Sequence, residues 1–398
     1  MAKQSLKTRA GEGWRQWRSA IFLIAAMVGF FGWHINSLTP GLSSAETNAV
    51  ASSQSMGQIT TNSSYAPHKL LQLVAWHLKP GNIVFMRLPS ILIALICLAS
   101  LYYILQRWFG KTIGVLATFM AAATPWYAIM GRLAAPDIML ATPLAVGASI
   151  LLLQKAKQHK FAAFILFIVA LSISLYAPGV IWFMILALIL RGRAFKRSLE
   201  GLSKSRIAAG ILLLLILLSP LIVASVGDMA TTKTILGLPS HWPQPLGFIK
   251  SLAWGVLALV WRTPYHSSWM LGRLPGLDII QIALAVFGTY AMYQLARPKA
   301  QLLLVYLGFG LVLEALNSNL NLELLLLPAI FVLVGAGLRY LYFEWHGVFP
   351  HNPIPKFLAL ALIGLLTATQ LLYGARYTLE AWPHSNDTHS DYRATIKG

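Results

Sequence analysis

Long apolar runs recur along the whole chain, and no other feature constrains the fold as much. Runs at 20–36, 88–105, 112–129, 138–153, 161–176, 178–190, 207–224, 278–295, 301–316, 324–342 and 357–374 each approach the roughly 20 apolar residues that cross a hydrocarbon core. Inside a bilayer only helices and closed barrels satisfy their own backbone hydrogen bonds. Runs of this length point to helices. The chain therefore reads as an all-α, polytopic integral membrane protein with about 11 transmembrane helices. Only 11% of its 398 residues are charged, against about a quarter in soluble domains. No polar stretch is long enough for a separate soluble domain, so residues 1–398 read as one membrane domain.

The net charge of +19 suggests nucleic acid until the charges are placed on the spans. Alternate connections are basic. They hold Lys3, Lys7, Arg9, Arg15 and Arg18, then Arg107 and Lys111, then Lys155, Lys157 and Lys160. Arg191, Arg193, Lys196, Arg197, Lys204 and Arg206 follow, then Arg297 and Lys299, then Arg339 and Lys356. This puts 20 of the 31 Lys and Arg on one side, and that side is cytoplasmic by the positive-inside rule. The N-terminus is then cytoplasmic, the C-terminus outside, and the expected location the cell membrane. Most of the basic excess is a topology signal. No aromatic–basic platform accompanies it, so nucleic acid is not an expected partner. The single Cys97 lies in an apolar run and reads as a small core residue. "SSAE" at 43–46 allows a signal-peptide reading of the first span. The apolar run ends well upstream of it, which favours an uncleaved first span.

Five polar connections fall on the outer side. They are a first loop at 37–83, the opening stretch around 130–137, the turn "YAPG" at 176–179, a long loop at 225–277, and "NSNLNLE" at 317–323. "LGFIKSLAWGVLALVW" at 246–261 is apolar enough to span. If it did, the order of the later basic loops would invert, so we place it in the outer interface with its tryptophans at headgroup level. "KLLQLVAWHLKPG" at 69–81 reads as a second, short amphipathic helix on that surface, ended by Pro80-Gly81.

The chain has only 12 acidic residues, and none lies at the middle of a span, where an ion-coupled transporter needs one. Glu46 is open to two readings. Ser43 with Glu46 three positions on is a capping-box pattern, and a carboxylate at the membrane surface is also a candidate general base. Asp137 follows Pro136 where a helix N-terminus favours both, yet that leaves Arg132 without a reason. Arg132 there needs an anion, either Asp137 or a phosphate. Arg87 in "FMRLPS" either snorkels to headgroups or serves a ligand. "WRTPYHSSWMLGRLPG" collects Arg262, Tyr265, His266 and Arg273, as an interfacial belt or as a cationic, aromatic pocket for a phosphate-bearing lipid. No Cys/His spacing of a metal site is present; if a divalent metal ion is bound, Asp137 is its candidate ligand.

"RLPSILIALICLASLYYILQRWFGK" and "ATPWYAIMGRLAAPDIMLATPLAVGASILLL", following an acid after the first span, resemble the GT-C glycosyltransferases. The likeness is to bacterial relatives of protein O-mannosyltransferases and of the lipid A aminoarabinose transferase, and is strongest over 37–180. It implies a GT-C fold and transfer of a sugar from a polyprenyl-phosphate carrier to a glycan, lipid or protein acceptor at the outer leaflet. The family's first-loop acid falls on Glu46, preceded here by Ala45 where the family often has Asp. The second acid falls on Asp137 with Arg132 beside it. The late Arg-Tyr of many members is absent from "NLNLELLLLPAIF", so phosphate contacts would come from Arg262, His266, Arg273 or Lys233, with His68 and Lys69 of the first loop also placed to bind substrate. On this reading Glu46 takes the acceptor's proton and Arg132 steadies the departing phosphate. The alternatives are a flippase or transporter for lipid-linked sugars, or an assembly subunit with a decayed site.

Overall fold

The computed structural model describes residues 21–264, 268–348 and 353–394. Among these the chain is helical, and its one β-type contact is an isolated backbone pair between Leu42 and Ala394. The helices are α1 (Ile21–Gly32), α2 (Ser44–Ala51), α3 (Met56–Thr61), α4 (Ala66–Leu78), α5 (Ile83–Phe109) and α6 (Lys111–Ala122). Then come α7 (Pro125–Met130), α8 (Pro143–Lys155), α9 (Lys160–Leu175), α10 (Val180–Leu199), α11 (Lys204–Gly227) and α12 (Met229–Ile235). The chain continues through α13 (Pro245–Val260), α14 (Ile279–Leu295), α15 (Arg297–Asn317), α16 (Leu327–Val348), α17 (Pro353–Ala375) and α18 (Asn386–Asp391).

Every expected span coincides with a helix. Among the described residues six helices are long and apolar enough to cross a membrane. Two spans are interrupted where the sequence reading drew them whole. The run at 112–129 breaks at Thr124, which is extended (ψ 121°) because it precedes Pro125. The run at 138–153 starts as a 3₁₀ turn, Pro136–Ala141, and resumes as α8 at Pro143. These proline breaks turn the chain through short buried segments instead of one straight rod.

The core is built around α5, α6, α14 and α16. Gly288 of α14 and Gly337 of α16 bring two backbones together: a Cβ on either would collide with the other helix's carbonyl oxygens, at Leu333 and Leu284. Small residues at such crossings allow the close packing that holds membrane helices together. By contrast α11 lies at the rim, with Leu212, Ile216, Val223 and Val226 exposed.

Helix α4 is amphipathic in the inverted sense. Its polar His68, Lys69 and Gln72 are buried, while Leu70, Leu71, Val74 and Leu78 point outward. That pattern suits a helix with protein on one side and lipid on the other.

The connections sort into two ends. Tyr65 N–H bonds the Tyr176 carbonyl (2.9 Å) and Ser63 Oγ the Pro220 carbonyl (3.2 Å), so the first loop, the α9–α10 turn and the last turns of α11 share one end. The α8–α9 and α10–α11 connections lie at the other. The segment after α17 folds back to the first end, where Ala394 pairs with Leu42.

Candidate active site

Ser43 caps α2. Its Oγ accepts from Glu46 N–H (3.2 Å), and Glu46 Oε2 accepts from Ser43 N–H (3.1 Å), completing a capping box. Glu46 Oε1 also accepts from Arg87 Nε (3.2 Å) and from the Ala134 amide (2.7 Å). Both side chains are fully buried. Arg87 spends its remaining donors on Thr39 Oγ1 (2.7 Å) and the carbonyls of Ile35 and Gly41 (both 3.3 Å). The Arg87 guanidinium is thus taken up by protein acceptors and does not snorkel. Glu46 is sealed and accepts three N–H groups. It ties the first loop to α5 and to the segment carrying Asp137.

Asp137 sits in the 3₁₀ turn Pro136–Ala141 with partial exposure. Its Oδ1 accepts from Asn321 Nδ2 (3.1 Å), whose Oδ1 accepts from Trp269 Nε1 (3.0 Å); Trp269 packs edge-on against the buried Trp126. Burial, and then the nearby charge of Asp137, holds the Tyr65 phenol well above its usual range. Tyr65 itself occupies the left-handed region (φ 59°), which for an aromatic residue is strained and is a recurrent mark of functional positions.

Arg132 and Asp137 form no pair. Arg132 donates to the Thr378 carbonyl (3.4 Å) and the Trp33 carbonyl, and its Nε is buried with no partner. Burial, then the charge of Arg87, lowers its guanidinium to about 10. Lys69 is buried too, donating to the Asn62 carbonyl (2.7 Å), and burial lowers its ammonium to about 8. His68 Nε2 lies 2.8 Å from Ser90 Oγ, which gives its own hydrogen to the Ala135 carbonyl (3.0 Å). His68 must therefore carry its proton on Nε2, leaving Nδ1 as a buried, unpaired acceptor. Burial, reinforced by Lys69, lowers this imidazole to about 3, so it is neutral.

Arg262 and Arg273 are exposed, near each other through the Thr263 N–H to Arg273 carbonyl bond (3.2 Å). Lys233 reaches the Ser240 carbonyl (3.4 Å). Tyr265 and His266 lie outside the described residues. Sequence reasoning passed over Tyr65, Asn321 and Trp269, and also Glu323, whose two carboxylate oxygens are buried without partners. Burial, then nearby Glu314, raises Glu323 well above the usual carboxylate range. Among the described residues no three His, Cys, Asp or Glu side chains gather as a metal site. Asp137 has an amide and a phenol for neighbours, a donor set that does not fit a tightly held divalent ion.

Residues 70–223, from α4 through most of α11, match the family described as dolichyl-phosphate-mannose-protein mannosyltransferase. No curated protein matches the chain. The crystal structure of ArnT from Cupriavidus metallidurans in the apo state superposes with a TM-score of 0.60 at 14% identity, covering 97% of this chain and 78% of that one. The structure of the same protein bound to undecaprenyl phosphate gives 0.59 at 12% identity, covering 95% and 77%. The chain thus has the GT-C fold of membrane glycosyltransferases, and it is a membrane-embedded protein.

Proposed function

We propose that the chain is a glycosyltransferase that moves a sugar from a polyprenyl-phosphate carrier to an envelope glycan, lipid or protein at the outer face of the membrane. One observation carries this reading. At one end of the bundle Arg132 and Lys69 are buried with no carboxylate partner among the described residues, while Glu46 is taken by Arg87. Burying an uncompensated cation costs several kcal/mol. A site built that way is arranged for an anion, and the phosphate of a lipid carrier supplies one.

The transfer needs a base near the acceptor and a field for the leaving group. An acceptor oxygen attacks the anomeric carbon as the bond from that carbon to the phosphate oxygen breaks. The electron pair leaves with the polyprenyl phosphate, and the acceptor's proton passes to Asp137. Asp137 is suited to this because one carboxylate oxygen is oriented by Asn321 and the residue stays partly accessible. Lys69, one helical turn after Tyr65, contacts the developing phosphate charge, and Arg132 strengthens the field from within. Glu46 positions: it fixes Ala134, three residues before Asp137. The exposed leucines of α4 border the path of the carrier's chain.

The test uses purified protein in lipid nanodiscs with radiolabelled polyprenyl-phosphate sugars. Label leaves the carrier with the unmodified chain and stays on it with Asp137→Asn. Flip of the carrier across the membrane without loss of label would sink the transferase reading.

A further inference from the structure

The end of the bundle opposite the candidate site carries a cavity that the transfer reaction does not use. The 13 residues of α8 rise about 1.5 Å each, so Lys155 lies about 20 Å along the bundle from the Asp137 turn. There the α8–α9 connection faces the α10–α11 connection across an open cavity of about 520 Å³. Lys157, His159, Lys160 and Arg206 line it, and Glu200 is its one acid. Lys160 Nζ donates to the Glu200 carbonyl, which joins the two connections, and Arg206 lies over the Phe161 ring (5.7 Å). A second cavity of about 460 Å³ adjoins it and shares Ala156, His159 and Ala162. Its further lining is Leu152, Ala163 and Leu166, with Lys155 at the edge.

We propose that this two-part cavity binds one anionic phospholipid, with the headgroup phosphate in the basic part and an acyl chain along the apolar part. Charge complementarity selects the headgroup: three full cations face one carboxylate. The first turn of α9 adds to it, since His159 gives no side-chain cap and the helix begins inside the basic cavity. The apolar part selects a lipid over a free phosphate, because a free phosphate would leave Leu152 and Leu166 unused. Basic pockets between helix ends at headgroup depth are where anionic lipids bind membrane proteins. The inference rests on the membrane placement of the chain and is independent of the transfer reaction.

The experiment reconstitutes the full chain in phosphatidylcholine nanodiscs containing phosphatidylglycerol, transfers it to mild detergent, and reads retained lipid by native mass spectrometry. The unmodified protein should keep phosphatidylglycerol in preference to phosphatidylcholine. Lys157→Gln with Arg206→Gln should reduce that retention several-fold. Ala162→Trp should do the same without changing charge, by filling the junction of the two cavities. If the double variant loses stability, Lys157→Gln alone, at an exposed position, still reads the charge contribution. Equal retention of the two lipids, or equal phosphatidylglycerol retention by all variants, would overturn the proposal. Displacement of the lipid by soluble glycerol phosphate as readily as by phosphatidylglycerol would also overturn it, since the site would then be one for phosphate alone.

Discussion

Glu46 separates two jobs that a carboxylate can do at a membrane surface. Its spacing from Ser43 already contains the capping box, because that bond pattern is local. Its bond to Ala134 crosses 88 positions and is invisible in sequence. Glu46→Ala strands the Arg87 guanidinium in the interior, and breaking a buried pair costs about 3–5 kcal/mol; its melting temperature should fall steeply. Glu46→Gln keeps one acceptor oxygen, which can serve Ala134 and Arg87 but not also Ser43. The loop then stays tied to the Asp137 segment, and carrier turnover should stay within about tenfold of normal, where loss of a general base costs about 10²–10⁴. A drop of that larger size with an unchanged melting temperature would return the base role to Glu46. Lys69 gives the second residue-scale prediction. Its ammonium, lowered to about 8, is charged at neutral pH and loses its proton as pH rises through that value. Donor KM should therefore climb above about pH 8. Lys69→Arg, whose guanidinium stays charged, should move that rise to higher pH. Tyr65, Asn321 and Trp269 were illegible for the same reason as the Ala134 bond. Asn321 meets Asp137 across 184 positions, and no local pattern reports such a meeting.

At the scale of elements, sequence was a better guide, because an apolar run and a proline act where they stand. The long runs became helices, and α4 ended before Pro80-Gly81 as local rules require, although it starts at Ala66, three residues before the run read in the sequence. What composition could not show was which helices would touch. Gly288 and Gly308 look alike in sequence, each a glycine inside an apolar helix. A Cβ at Gly288 would strike the backbone of α16, whereas one at Gly308 would meet nothing within 4 Å. Gly288→Ala should thus destabilise by about 1–3 kcal/mol or more, as overpacking does. Gly308→Ala should be neutral or stabilising by about 0.5–1 kcal/mol, through lost chain entropy. Thermal unfolding of the two variants in the same detergent checks the pair. Equal melting temperatures would mean that α14 and α16 do not cross at Gly288.

For the whole molecule, the sign and placement of charge decide which way the site faces. The far end holds Lys155, Lys157, Lys160, Arg191, Arg193, Lys196, Arg197, Lys204 and Arg206, and the site end holds Asp137 and the tail with Asp387 and Asp391. On the positive-inside rule we propose that the far end is cytoplasmic and the site end outside. The chain offers a clean way to check it. Its one cysteine, Cys97, is fully buried and burial pushes any reagent away from it, so the unmodified protein should stay unlabelled by a membrane-impermeant maleimide in intact cells. Gln158 and Asn386 are exposed, one at each end of the bundle. Asn386→Cys should label in intact cells, and Gln158→Cys only after the membrane is opened. The reverse pattern would turn the site toward the cytoplasm, and a transferase there would draw on a carrier facing inward. Labelling of both positions from outside would be incompatible with a bundle that crosses the bilayer between them, and the buried cations Arg132 and Lys69 would then need an anion other than a membrane lipid.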